Sequence, residues 1–516
     1  MTRLADPYQA GAVRGSLAAF LVGRGVSAVL TFTAFALAAR VLSLDQYGVY
    51  VTALATLETG LALATAGLDW VAVRLLPEYR LHGGGRATAR AIGWLTGAQV
   101  LLYAAVAACG YAGAAYWERL LRIEAAEAVL PWLAVLLVVE GAARIFRDQM
   151  LGALMRQGVG QFGQSLRSGL LVVWLGTDWL APRTITAPEM LRYELLAAAA
   201  AAVAGGVLLV QELWRLRHLP PAPRWVAPKA RRLFALAIHM YFNHVLALVY
   251  GANVLTLLVA RMLGAEAVAL FGFGNGFAQQ VRRYLPTELL QSVIRPSLFA
   301  FFSRTRDFSA LMIRLGLWLK SSLVMLVPIV VYFVAFGERA AGALGGQQFR
   351  EAWPVVAVLL LGAGASALRR IVELASNAVM ASALCVEAGV WLLAVPLLTI
   401  LILVEGGRLL PVVALTVIAE VFYGWRVIAG LRRRGYVFPL GLGGVARLLA
   451  WSGCASLALR WTAEDLPLDG AASLALCLTV SGIAIFAARP LTAAESELAA
   501  GWGVNGVRQV TRLLAR

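Results

Sequence analysis

The chain has 516 residues, 60% hydrophobic and only 14% charged, with a mean hydropathy of +0.76. Soluble domains run at roughly 45–50% apolar and 25% charged. A soluble enzyme or binding domain is therefore excluded, and the chain reads as an all-α polytopic membrane protein. Lys+Arg number 45 against 28 Asp+Glu, a net charge of +17. In a membrane protein such an excess marks cytoplasmic loops, not nucleic acid.

A membrane helix needs about 20 mostly apolar residues. Fourteen segments qualify, at about 16–40, 48–73, 91–115, 130–150, 159–181, 194–213, 233–259, 267–290, 314–336, 355–381, 382–404, 409–430, 440–460 and 468–488. The first is long enough to span and has no clear small-residue cleavage site, so no cleavable signal peptide is expected. The longest connection, near 214–232, is basic and proline-rich and divides the chain near its middle. The break between the tenth and eleventh spans is only Ala381-Ser382. After Arg489 the tail 493–516 has an apolar set, Leu498, Trp502, Val507, Val510 and Leu514, against basic residues, as an interfacial helix would.

With the N-terminus cytoplasmic, basic residues at the cytoplasmic span ends outnumber those on the other side by roughly three to one. Both termini are therefore expected in the cytoplasm. Cys109, Cys385, Cys454 and Cys477 form no CxxC pair, which argues against zinc and a disulfide framework. No metal or cofactor is expected. No loop is large enough for a catalytic domain, no DxD or GxxxxGK[ST] motif occurs, and the four histidines form no evident catalytic group. A membrane glycosyltransferase, polymerase, ligase or ATPase is thus disfavoured.

The first span ends with Ala39-Arg40-Val41-Leu42-Ser43-Leu44-Asp45 and the seventh with Ala260-Arg261-Met262-Leu263-Gly264-Ala265-Glu266. The pattern Ala-Arg-x-Leu-small-x-acid, followed by an aromatic in register, repeats at a constant offset of 221 residues. Both copies occupy the outward turn of a helical hairpin. A duplication of six spans leaves both halves in one orientation, related by an axis along the membrane normal. The expected units are an N-terminal lobe at 1–213, a linker at 214–232, a C-terminal lobe at 233–430, two further spans at 431–489 and a cytoplasmic tail at 490–516. Substrate is expected between the lobes.

Arg24, the turn Ala39-Arg40-Val41-Leu42 with Asp45-Gln46-Tyr47-Gly48-Val49-Tyr50, and Gly67-Leu68-Asp69 leading to Arg74-Leu75-Leu76-Pro77-Glu78-Tyr79 resemble the N-terminal half of bacterial polysaccharide exporters. These are the Wzx-type O-antigen flippases of the MOP superfamily, which also contains MATE antiporters and the peptidoglycan lipid II flippase. The resemblance implies two six-helix lobes of MATE type plus two extra C-terminal helices, in the inner membrane. It implies flipping of undecaprenyl-diphosphate-linked oligosaccharide from the cytoplasmic to the periplasmic leaflet. Membrane lipids, a coupling ion (Na⁺ or H⁺) and polysaccharide polymerase machinery are the implied partners.

Ionisable residues inside spans are costly and are candidates for function. Arg24, Arg167, Arg282 and Lys320 fall in the cytoplasmic half of their spans, with Arg283 adjoining Arg282. Arginine offers planar, bidentate contacts suited to a diphosphate. Asn243 and His244 make the seventh span unusually polar and complete the candidate substrate-binding set. Glu58, with Gln279 at the repeat-related position, is the ion-coupling candidate; it also suits a pair with Arg24. Arg369 and Arg370 have Glu373 at i+4 and i+3, which reads as a local ion pair. The lipid II branch of the superfamily has a cavity arginine on the second span, where this chain has Glu58. A MATE-like cation antiporter calls for an acidic cavity, and this one reads basic.

Overall fold

The computed structural model describes residues 10–121, 126–154, 156–221, 225–226, 230–289, 298, 301–302, 304–463, 470–500 and 514. Among them the structure is helical throughout, apart from turns and isolated bridges such as that between Leu42 and Ile185. Among the described residues, twelve helical segments are long and apolar enough to cross a membrane. The expected count exceeds this by two, and the difference has a physical cause. The segments at 159–181 and 267–290 are helical but polar: the first carries Gln161, Gln164, Arg167 and Asp178, the second Asn275, Gln279, Gln280, Arg282 and Arg283.

The chain forms two compact units, Met1–Ala269 and Leu270–Arg516. The first contains α1 (Ala10–Val41), α2 (Leu44–Ala64), α3 (Leu68–Glu78), α4 (Gly84–Ala112), α5 (Ala114–Leu121), α6 (Ala126–Arg144), α7 (Gln157–Leu180), α8 (Ala187–Leu216), α9 (Ala230–Val249) and α10 (Ala252–Leu263). Helix α11 (Ala265–Tyr284) contains the division. The boundary therefore falls beyond the linker at 214–232, because α9 packs on α2 and α3, and α10 packs on α2.

Within this unit α1 lies against α7, while α6 packs on α4 and α8. Ser43 caps α2 by accepting from the Gln46 amide, and Thr186 and Glu189 form a reciprocal capping box at the start of α8. Gln46 Oε1 also accepts from the Ala187 amide at 2.8 Å, which ties the α1–α2 turn to α8. The repeated motif lies at matching breaks: α1 ends at Val41 and α2 begins at Leu44, while α10 ends at Leu263 and α11 begins at Ala265. The two turns touch, since a Cβ on Gly48 would collide with the Ala265 carbonyl.

The second and seventh expected spans are among those that the structure interrupts. The second breaks after Ala64, where Ala66 and Gly67 take positive φ (46° and 75°). The seventh breaks at Tyr250–Gly251, between α9 and α10. The first break seats α9: a Cβ on Gly67 would collide with the Ala237 carbonyl, and the Tyr241 hydroxyl donates to the Leu63 carbonyl at 2.8 Å.

The second unit contains α12 (Pro286–Leu289), α13 (Phe308–Ala335), α14 (Gly337–Gly345), α15 (Trp353–Ala378), α16 (Ala383–Trp391), α17 (Ala394–Val404), α18 (Leu409–Arg433), α19 (Leu442–Ala463), α20 (Gly470–Ala488) and α21 (Ala493–Ala500). Helix α15 packs on α13 and α18, and α19 and α20 pack on α13 and on each other. The hairpin at Ala381-Ser382 is present, turned by Met380 at φ 57°. Of the apolar set expected on the tail, Leu498 and Leu514 lie among the described residues. Leu491, Ala499 and Leu514 are buried with Leu317 of α13, and Leu498 packs against them. Trp502, Val507 and Val510 lie outside the described residues.

Candidate functional site

Inside the first unit, four helices bring acids and arginines together. Arg144, at the end of α6, donates through both terminal nitrogens to Glu58 on α2, with Nη1–Oε2 at 2.8 Å. Its Nε donates to Glu140 Oε1, one turn back, at 2.8 Å. Arg167 on α7 reaches Glu140 Oε2 at 3.4 Å and Glu194 Oε2 on α8 at 2.7 Å. The Tyr50 hydroxyl closes the row, donating to Glu194 Oε1 at 2.6 Å. Three carboxylates thus share two guanidinium groups. Glu140 and Glu194 are buried, and Glu58 is the open end, its side chain 38% exposed.

A separate hydrogen-bonded chain starts in the π-helical turn at Ile145–Leu151, which follows Arg144. Arg147 pairs with Asp148 at 2.8 Å and donates to Gln164. Gln164 in turn donates to Ser168 Oγ at 3.4 Å, and Ser168 meets Thr31 Oγ1 of α1 at 2.9 Å. In low dielectric such pairing is what makes buried charge tolerable.

The second unit has a comparable set. Arg369 contacts Glu373 at 2.9 Å and Glu420 of α18 at 3.2 Å, with its guanidinium 4.1 Å from the Tyr423 ring centre. Arg370 contacts Glu373 and Glu288 of α12, both at 3.2 Å. The local pairing that the i+3 and i+4 spacing predicts is present, and it extends to two other helices.

The candidate residues divide accordingly. Arg24 lies half-buried in α1, beside the Gly23–Gln161 approach of α1 to α7. Arg282 and Arg283 are exposed in the last turn of α11, and Gln279 is half-buried a turn before them. His244 is exposed on α9; the Asn243 side chain lies outside the described residues. The structure does not bring Arg167 and Lys320 to an open surface. Arg167 is held by two carboxylates, as above. Lys320 is fully buried on α13 and paired with Glu495 of α21 at 2.6 Å. Glu58 takes Arg144 as its partner, 86 positions away, rather than Arg24. Glu140, Arg144 and Glu194 are not among the candidates that the sequence supplied. The i,i+4 spacing of Glu140 and Arg144 was the available signal; the links to Glu58 and Glu194 had none.

Fold and composition define a polytopic, all-helical membrane protein with charge paired inside its bundle. The chain is similar to the solved lipid II flippase MurJ in an inward closed conformation, with a TM-score of 0.60, 11% identity, and 90% of this chain and 96% of that one covered. It is also similar to an inward-facing multidrug resistance MATE family transporter of the MOP superfamily, with a TM-score of 0.56, 13% identity, and 86% and 99% covered. At these identities the likeness concerns the fold. No curated protein matches the sequence significantly. Residues 13–302 match the family described as "Polysaccharide biosynthesis protein", and the chain belongs to that family.

Proposed function

We propose that the protein flips undecaprenyl-diphosphate-linked oligosaccharide from the cytoplasmic to the periplasmic leaflet of the inner membrane, with both termini cytoplasmic. It would serve surface polysaccharide biosynthesis as a transporter and not as an enzyme. The observation that carries this reading is the family match over residues 13–302 on a MOP-type fold. Arg24, Arg282 and Arg283 are the guanidinium groups assigned to the diphosphate, with Asn243 and His244 assigned to the glycan. Arg167 and Lys320 are set aside because Glu140, Glu194 and Glu495 hold them. A cation antiporter needs carboxylates open to its substrate, whereas those of both networks are tied to arginine. Coupling to Na⁺ or H⁺ is assigned to Glu58, the most open acid of a network whose carboxylates outnumber its guanidinium groups.

The test is surface-glycan export in cells lacking their own flippase, normalised to membrane protein level, for Arg24→Gln, Arg282→Gln and the double variant. A charge-assisted contact is worth about 1.5–3 kcal/mol, so each single change weakens substrate binding on the order of 10–100-fold. Full export by the double variant at normal abundance would refute the assignment of the site.

A further inference from the structure

We propose that the first unit carries a binding site for an anionic membrane phospholipid, with its acyl chain in a groove along α8 and its phosphate at Arg156 and Arg215. The groove has a volume of ≈ 550 Å³ and is lined by Phe146, Ala202, Val203, Gly206, Val207, Val210 and Gln211. Gly206 lines it, and Gly205 beside it lets α8 approach Phe146. A Cβ on Gly205 would come within 3.1 Å of Phe146 Cβ, and one on Gly206 within 3.6 Å of the Phe146 ring. Val203, Val207 and Val210 are exposed at its rim, as suits a surface facing lipid.

The groove leads to charge. Val203, Val207 and Gln211 form an i, i+4 row that continues to Arg215, so Arg215 stands on the same face one turn further. From Val203 to Arg215 is about 18 Å at 1.5 Å per residue, close to the roughly 15 Å of one leaflet's hydrocarbon. At the charged end the buried Glu212 carboxylate has three arginines around it: Arg156 at 3.0 Å, Arg80 at 3.4 Å and Arg215 at 3.6 Å. Arg80 is nearly buried and also donates to the Leu154 carbonyl, so it balances Glu212 locally. Arg156 and Arg215, with side chains 40% and 64% exposed, leave two positive charges in excess at the surface. Trp214 is exposed beside them, with the Arg217 guanidinium 3.6 Å from its ring centre, as in an interfacial aromatic anchor. Any lipid covers an apolar face. A groove whose row of side chains runs on, over about one leaflet, to three arginines sharing one carboxylate selects a lipid with net negative charge.

The experiment uses the full chain purified in dodecyl maltoside. Thermal unfolding is followed with phosphatidylglycerol, phosphatidylcholine, undecaprenyl phosphate or inorganic phosphate added, and native mass spectrometry counts the retained lipid. Phosphatidylglycerol is expected to raise the unfolding midpoint more than phosphatidylcholine does. The exposed-site variant Arg156→Gln/Arg215→Gln is expected to lose that preference, its phosphatidylglycerol affinity falling about tenfold or more per arginine. Gly206→Leu, which fills the groove, is expected to retain less of either phospholipid. Equal effects of the two phospholipids on the wild type, or an undiminished preference in the double-arginine variant, overturn the proposal. So does reproduction of the shift by inorganic phosphate, which removes the role of the groove. Stronger retention of undecaprenyl phosphate than of phosphatidylglycerol overturns the choice of occupant.

Discussion

Removing either partner of the Lys320–Glu495 pair is expected to unseat the C-terminal segment, whereas removing both is not. The side chains are 0% and 1% exposed and meet at 2.6 Å. Glycines make room for them: a Cβ on Gly441 would lie 2.7 Å from Lys320 Nζ, and one on Gly316 2.7 Å from Glu495 Oε1. Glu495 Oε2 also accepts from the Thr492 amide at 2.7 Å, so the same carboxylate starts α21. Losing one member of a buried pair leaves an uncompensated charge and costs about 3–5 kcal/mol, while replacing both by apolar groups of similar volume is often neutral or stabilising. Lys320→Met and Glu495→Met should therefore each shift the folding equilibrium by roughly a hundred- to several-thousand-fold. Lys320→Met/Glu495→Met should recover most of that loss. Membrane proteins often unfold irreversibly, so the readout is the fraction remaining monodisperse after timed heating in detergent, ranked across the four members of the cycle. Single variants as durable as the wild type, or a double variant as fragile as the worse single, would refute the reasoning.

Glu140→Gln is expected to cost about 3–5 kcal/mol, because it leaves Arg144 and Arg167 short of a shared buried carboxylate; membrane abundance and heat resistance should fall together. Glu58→Gln, at the open end, should cost no more than about 1 kcal/mol and instead change the dependence of export on external Na⁺ or pH, measured in energised vesicles. Gly67→Ala should destabilise by more than about 1–2 kcal/mol, since a left-handed backbone with a Cβ is strained and the Ala237 carbonyl stands in the way. Gly97→Ala, where a Cβ meets nothing within 4 Å, is the control and should be neutral or stabilising in the same heating assay.

The apolar runs and the repeated turn were legible because each depends on neighbours in sequence. A span is a local property of about 20 residues, and α2 and α11 begin at repeat-related positions, Leu44 and Ala265. The interruptions were harder to see. A single Gly67 or Gly251 inside an apolar stretch does not announce a break, and the break at Gly67 is needed because α9 approaches it closely. The charge pairing was least legible. Glu58 and Arg144 are 86 positions apart and Lys320 and Glu495 are 175 apart, so only tertiary packing joins them. Lys320 and Arg167 show one use of intramembrane charge in this fold, which is to hold helices together.

The two ionic networks extend this point. Each unit places three carboxylates around two arginines, and in each a central glutamate touches both: Glu140 in the first, Glu373 in the second. Each network adds a tyrosine, Tyr50 to Glu194 and Tyr423 to Arg369. The central glutamates are 233 positions apart, not the 221 of the repeated turn, so the charge arrangement recurs without strict register. Lipid provides no hydrophobic drive between helices, and interhelical polar contacts take up part of that role. A bundle joined in this way tolerates polar helices such as α7 at its interior, because their charges are matched by neighbours. That is why α7 can be polar and still fold beside α1. The same logic separates the two kinds of arginine by their readouts. Arg144, Arg167, Arg369 and Arg370 act on assembly and so on abundance. Arg24 and Arg282, if they contact phosphate, act on export per molecule.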